Sequence, residues 1–244
     1  TPGGCVLGVW AGEVIPKPIV IAMDERRRKF RLVAFDLDGT LTVEASSWQS
    51  IHRFFGTEAY GAEGLRDYES GRISYEEFMR RDIAHWPKGL HIKAIEDILS
   101  TFSLRPEAED TIRQLRQRDM RVVVITSGLA PLARNVCQRL HIGDYAANDL
   151  QTDAEGRLTG QGILVVEPLK KDEVLHEFLR RWDLRSEQAL AVGDTKFDRS
   201  LLRAAGMGVA FKEDGKPDPE LLEVATYIVT KLTDIVGIVD HHRL

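Results

Sequence analysis

The sequence predicts an α/β protein, a doubly wound parallel sheet with a small helical cap inserted after its first strand. Three observations predict it. From residue 105 onward, continuous β-branched runs such as "RVVVITSG" (121–128) and "QALAVGD" (188–194) alternate with segments of helical periodicity. Strands that are apolar throughout belong to parallel sheets covered on both faces. The first such run, "RLVAFDLDGTLT" (31–42), ends in two aspartates, at the kind of strand terminus where ligands of open α/β sheets collect. Between these regions, residues 46–104 carry helical stripes and no convincing strand.

The elements follow in order. Residues 1–29 are expected to be a loosely ordered N-terminal extension: "CVLGVWAG" and "IVIA" are broken by Glu13, Pro16, Lys17 and Pro18, and Met23 is the first methionine. That pattern is too interrupted for a membrane helix and lacks the basic start of a secretory signal. An extra strand or a packing arm is the alternative. The core is expected over 30–45 and 105–244, with the cap over 46–104. In the cap, Trp48, Ile51, His52 and Phe55 share a helical face behind the candidate caps Ser46 and Ser47. Ser74 and Glu77 offer a capping box before Tyr75, Phe78, Met79, Ile83 and Trp86. Beyond the cap, Leu132, Val136 and Leu140 repeat at helical spacing after Pro131. "ANDLQTDAEGRLTGQGIL" (147–164) reads as a β-hairpin around Asp-Ala-Glu-Gly. Val174, Leu175, Phe178, Leu179 and Trp182 form a further stripe, as do Leu201, Leu202 and Ala205. "MGVAF" (207–211) and "YIVT" (227–230) are the last strands.

With 244 residues and a net charge of −5, the chain is expected to bury a full core and to bind neither nucleic acid nor anionic membrane. Cys5 and Cys137 are its only cysteines, which argues against a disulfide framework and for a reducing cytoplasm. Nothing in the pattern fixes an oligomeric state.

Asp36 and Asp38 stand two apart at a strand end, so extended geometry would turn both toward one pocket. Two carboxylates so placed repel unless a cation or a shared proton holds them. A turn and capping role, a simple metal site, and a nucleophile paired with a general acid–base all remain open on these residues alone. Ser127 and Gly128 end another strand, where a hydroxyl and a backbone N–H suit a phosphate oxygen. Lys171 opens the helix "KDEVLHEFL", although a solvated lysine is the commoner reading. Asp194 ends "LAVGD", with Asp198 four residues on.

Taken in this order, "DLDGT" (36–40), "TS" (126–127), Lys171 and "GDTKFD" (193–198) resemble the four motifs of the haloacid dehalogenase superfamily of phosphohydrolases. Hairpin and insertion look most like its phosphoserine phosphatase branch. The resemblance implies a Rossmann-like core over roughly residues 30–240 and a small phosphorylated metabolite as substrate. It implies that Asp36 attacks phosphorus and that Asp38 protonates the leaving alcohol and then activates water. Magnesium would be held by Asp36, the backbone carbonyl of Asp38, and Asp194. Ser127, Gly128 and Lys171 would hold phosphoryl oxygens, with Asp198 and Thr40 in support. Oxygen-only ligands suit Mg²⁺ and argue against zinc. Phosphoserine is the leading candidate substrate, with another small phosphoester, or phosphotransfer on the same core, as alternatives. A receiver-like phospho-acceptor domain is the non-enzymatic rival, and a degenerate binding protein of the same family a second.

The cap departs from that branch. Phosphoserine phosphatases meet the substrate ammonium with an acid soon after the first motif, and its carboxylate with a cap arginine. Here Glu44 falls one residue short, and the arginine position falls on Asp82, just after Arg80 and Arg81. Phe197 replaces an asparagine in the fourth motif. Glu44 and one of Arg80 and Arg81 are expected to contact the non-phosphate end of the substrate.

Overall fold

A computed structural model describes residues 30–242; the expectation for the extension, residues 1–29, lies outside them. Seven strands form one sheet: β1 (Leu32–Phe35), β2 (Arg121–Leu129), β3 (Asp144–Thr152), β4 (Leu158–Ile163), β5 (Ala189–Gly193), β6 (Met207–Phe211) and β7 (Tyr227–Val229). Their order is β4-β3-β2-β1-β5-β6-β7. Every pairing is parallel except β3 with β4, the expected hairpin. Strand β1 is central, and the chain winds outward from it first through β2 and then through β5. The crevice at its carboxyl end is therefore a topological switch point.

Alternation along the strands explains why they carry no polar face. Val33, Phe35, Val122, Val124, Leu190 and Val192 pack with Ile112, Leu115, Leu132 and Val136 on one side. Leu32, Ala34, Val123, Ile125 and Ala191 pack with Val174, Leu175, Leu179, Leu201 and Leu202 on the other. The helices supplying those residues are α5 (Ala108–Gln117) and α6 (Ala130–Arg139) on the first side, and α7 (Lys171–Arg181) and α8 (Arg199–Ala204) on the second. Each fully buried Val, Leu, Ile or Phe stabilises the fold by about 1.5–3 kcal/mol. The short α9 (Pro219–Leu222) and the longer α10 (Asp234–His241) complete the layers. No helix among the described residues is long and apolar enough to cross a membrane.

Four helices lie between β1 and α5: α1 (Ser47–Phe55), α2 (Glu58–Glu69), α3 (Tyr75–Ala84) and α4 (Ile92–Leu99). Ser46, not Ser47, is the cap of α1; its hydroxyl accepts the Gln49 N–H at 3.2 Å, and Gly56 ends the helix at φ 68°. Ser74 caps α3 through the Glu77 N–H. The return half of the expected capping box is replaced, because the Glu77 carboxylate binds Arg80 and Arg81 instead. Helix α3 lies on β4, where a Cβ at Gly162 would come within 2.2 Å of Met79. The hairpin thus props the inserted helices over the sheet.

Candidate active site

The ladder of β1 extends one residue past the strand: the Asp36 N–H donates to the Val192 carbonyl at 2.9 Å. The chain then turns at Gly39, φ 81°, where a Cβ would sit 2.6 Å from Asp194 Oδ2. Glycine is required there by both dihedral and space. Arg105 clamps the turn, donating to the Gly39 carbonyl at 2.7 Å and the Thr40 carbonyl at 3.0 Å. Asp36 and Asp38 consequently face one cavity of about 270 Å³, which Thr126, Ser127, Gly128 and Lys171 also line.

Lys171 is not solvated. It is 2% exposed, and its Nζ donates to Asp36 Oδ1 at 2.5 Å and Asp198 Oδ1 at 2.6 Å. Burial opposes its charge, but the Asp198 and Asp36 carboxylates outweigh burial and hold the ammonium well above its usual range. Asp198 is saturated: its Oδ2 accepts the N–H groups of Asp194 and Thr195, each at 3.0 Å. It fixes the lysine and the β5 end together. Asp194 accepts the Thr40 hydroxyl at 2.9 Å, which ties the turn after β1 to the end of β5.

Asp38 is held differently. Its Oδ1 accepts the Ser47 N–H, the first amide of α1, at 2.7 Å, and its Oδ2 lies 3.3 Å from the Ser47 hydroxyl and 3.4 Å from that of Thr126. Burial raises its carboxyl to about 6, against those hydrogen bonds. Burial and then the Asp198 charge raise Asp36, and burial and then Asp198 lift Asp194 to about 7. What separates the two aspartates is their surroundings: Asp38 is held by an amide and two hydroxyls, Asp36 by Lys171 within a crowded acidic cluster.

Carboxylate oxygens of Asp36, Asp194 and Asp198 lie within 4.8 Å of one another. Such a buried acidic set with one lysine fits a hard cation. Because both Asp198 oxygens are already engaged, Asp36 and Asp194 are the carboxylates free to hold one.

Several expectations need correction. The Gly128 N–H donates to the Thr126 hydroxyl at 2.9 Å, so it is not offered to a phosphate. Gly128 matters by its size, since a Cβ would lie 2.0 Å from Asp38 Oδ2. Glu44 does not line the cavity; its carboxylate accepts the Ser103 N–H at 2.9 Å and closes the loop behind the site. Arg80 and Arg81 are also absent from the lining. Both bind Glu77, and Arg81 also reaches Asp67 at 3.0 Å, on the outer side of α3. These pairs depress the Glu77 carboxyl to about 2. Helical rotation carries both arginines off the stripe that faces inward.

The residue that does face inward is Asp82, 1% exposed. Its Oδ2 lies 3.0 Å from His52 Nε2. Burial raises its carboxyl, with His52 opposing. Two glycines of α2 make room for the pair: a Cβ at Gly61 would meet His52 at 2.6 Å, and one at Gly64 would meet Asp82 Oδ1 at 3.1 Å. Trp48, Tyr75, Phe78 and Phe197 complete the wall. Trp48 Nε1 and the Tyr75 hydroxyl both donate to the Ser127 carbonyl at 3.1 Å, and Asn148 Nδ2 does so at 3.0 Å. Asp82, standing where a cap arginine was expected, and the aromatic wall line the cavity, as does Thr126 of the "TS" motif. The regular spacing of Asp82 after Tyr75 and Phe78 was the signal available.

This chain is similar to proteins of known kind. It is 31% identical to a phosphoserine phosphatase of Mycobacterium tuberculosis, over 81% of this chain and 47% of that protein. It is 29% identical to a phosphoserine phosphatase of Archaeoglobus fulgidus, over 75% and 53%. The chain thus spans about half the length of these two relatives. A solved structure described as a phospho-aspartyl intermediate analogue of phosphoserine phosphatase superposes with a TM-score of 0.73 at 27% identity, covering 86% of this chain and 99% of that one. The haloacid dehalogenase-like hydrolase profile matches residues 30–206. With that profile spanning most of its length and the motif residues gathered at one strand-end cavity, the chain belongs to the haloacid dehalogenase-like hydrolase family, on the phosphoserine phosphatase-like branch.

Proposed function

We propose that the protein is a Mg²⁺-dependent phosphatase of a small phosphorylated metabolite, with residues 46–104 as its cap. The observation that carries this reading is the contrast between Asp36, ion-paired to Lys171, and Asp38, hydrogen-bonded to an amide and two hydroxyls in the same cavity. Asp36 presents a carboxylate oxygen to phosphorus, and an aspartyl-phosphate forms as the ester P–O bond breaks. Asp38 gives its proton to the departing alcohol oxygen. Asp38 then takes a proton from water as that water attacks phosphorus, releasing phosphate and restoring Asp36. Lys171 holds a phosphoryl oxygen and opposes the upward push of burial on the Asp36 carboxyl, and Ser127 and Thr126 flank the same space. The carboxylates of Asp36 and Asp194 and the Asp38 backbone carbonyl would hold the cation. When bound, Mg²⁺ supplies neutralisation of phosphoryl charge.

Phosphoserine, the substrate named for the relatives, is the leading candidate by kinship and the reference ester for a screen. A receiver-like domain fits less well, having no use for an adjacent general acid–base or an enclosing set of helices. The two-cysteine composition supports a reducing, cytoplasmic setting. Turnover of an aryl phosphate with Mg²⁺, lost in excess chelator and restored by readdition, tests the reading; full turnover in chelator overturns it.

A further inference from the structure

The second motif sits where the sheet opens. From Ile125 to Leu129 strand β2 advances four residues while its partner β3 advances two, from Ala146 to Asn148. Thr126, Ser127 and Gly128 therefore stand in a β-bulge, a device that re-aims side chains beside active sites. Asn148 lies opposite, 0% exposed, and every hydrogen-bonding position of its amide is used. Its Nδ2 donates to the Ser127 carbonyl at 3.0 Å and to the Val166 carbonyl at 2.9 Å. Its Oδ1 accepts the Val165 and Val166 N–H groups, each at 2.8 Å. Two donors thus meet two carbonyls and one oxygen meets two amides, a match that fixes the orientation of the side chain.

The two main-chain segments joined in this way carry different halves of the phosphoryl cradle proposed above. One is the bulge that bears Ser127. The other leaves β4, buries Val166 with Val174 and Leu175, and winds through the turn Pro168–Lys170 into α7, whose first residue is Lys171. Ser127 and Lys171 line the cavity, whereas Asn148 does not. Trp48 and Tyr75 also donate to the Ser127 carbonyl, but each side chain has only that one donor. Of the three, Asn148 alone binds both segments. Removing its amide breaks four bonds at one joint and frees the two segments to move apart.

We infer that Asn148 is a positioning residue for phosphoryl transfer: its saturated amide sets the Ser127 bulge and the approach to Lys171 at a fixed separation, without touching substrate. This rests on the phosphatase reading above and adds to it a residue that lies outside all four motifs.

The test pairs Asn148→Leu with Val136→Ala, a buried change on α6 away from the cavity. Both variants are assayed with Mg²⁺ well below their melting temperatures. Asn148→Leu should lower kcat/KM by about ten- to a hundredfold, equally for an aryl phosphate and phosphoserine, because the displaced groups hold the phosphoryl and not the alcohol. The inhibition constant of inorganic phosphate should rise about tenfold. Val136→Ala should destabilise the fold while leaving both constants near wild type. Wild-type kcat/KM and phosphate inhibition in Asn148→Leu, or losses no larger than those of Val136→Ala, overturn the inference while the phosphatase reading stands. Wild-type protein that turns over no ester sinks that reading, and the inference with it. If Asn148→Leu does not fold, hydrogen exchange on the wild-type protein decides. With Mg²⁺ and inorganic phosphate at about ten times its inhibition constant, exchange of the Val165 and Val166 amides should slow about tenfold, because phosphate opposes any opening that dismantles its site. Unchanged exchange overturns the inference.

Discussion

The two ends of the cavity solve the burial of charge in opposite ways. At the sheet end, carboxylates gather around one lysine, and nearly every oxygen has a partner or a place for a cation. At the helix end, one buried carboxylate lies 3.0 Å from one imidazole, and neither of its oxygens has a hydrogen-bond partner. The first arrangement is held by strand termini far apart in sequence, and belongs to chemistry common to every substrate. The second is held by side chains on α1 and α3 and is the end that would meet the alcohol on the reading proposed above. On that reading, phosphoryl transfer and alcohol selection are built on separate scaffolds.

Substitutions at the sheet end should have the largest effects. Asp36→Asn should lower kcat for an aryl phosphate by more than about 10⁴-fold, since an amide is a poor nucleophile. Near wild-type turnover would break the covalent route. Asp38→Asn should cost about 10²–10⁴-fold, the usual size of a general acid–base contribution. Its loss should shrink for esters with a good leaving group, which need less protonation; an equal loss across leaving groups would deny Asp38 the acid's part. Lys171→Met leaves Asp36 and Asp198 buried without their shared cation, and should destabilise the fold by about 3–5 kcal/mol in denaturant melts.

Protons and metal compete at the same end. Burial raises Asp38 from 3.8 to about 6 and Asp194 from 3.8 to about 7. Between the unfolded and folded values the folded chain binds the extra protons, so their contribution to stability is fully present below about pH 4. It is lost as pH rises through 6 and 7. Magnesium should therefore raise the melting temperature more at pH 8 than at pH 5, by about 5–10 °C when near-saturating at the higher pH. An equal shift at both values would separate metal binding from these carboxyls. The smallest effects belong to the outer side of α3. Arg80→Ala and Arg81→Ala should each change kcat/KM by less than about threefold, because exposed ion pairs contribute about 0–1 kcal/mol. A larger, substrate-dependent loss would move these arginines back into the cavity.

Asp36, Asp38, Lys171, Asp194 and Asp198 were legible because each ends or follows an apolar strand or opens a helix, and period-two geometry delivers them to one edge. Lys171 alone read as a surface residue; its burial depends on Asp36, 135 positions away. The helix end was harder to read. Glu44 and the arginines have the right charges for an amino-acid substrate, but charge type says nothing about which way a helical side chain turns. Asp82 shares the inward stripe of Tyr75 and Phe78, and a polar residue within an apolar stripe was the available clue. Gly128 read as an amide donor, whereas the structure uses it as a space for the Asp38 carboxylate.

The Ser127 carbonyl gathers Trp48 from α1, Tyr75 from α3 and Asn148 from the hairpin. A carbonyl has two lone pairs, so three donors share it unequally, each partly replaceable by the others. Because the receiver belongs to the main chain, changing the side chain at 127 leaves the knot tied. Loosening it takes a change at one of the three donors, each on a different limb of the molecule. Drift in the wall that meets the alcohol can therefore proceed, one limb at a time, without unseating the helices from the strand that carries Thr126.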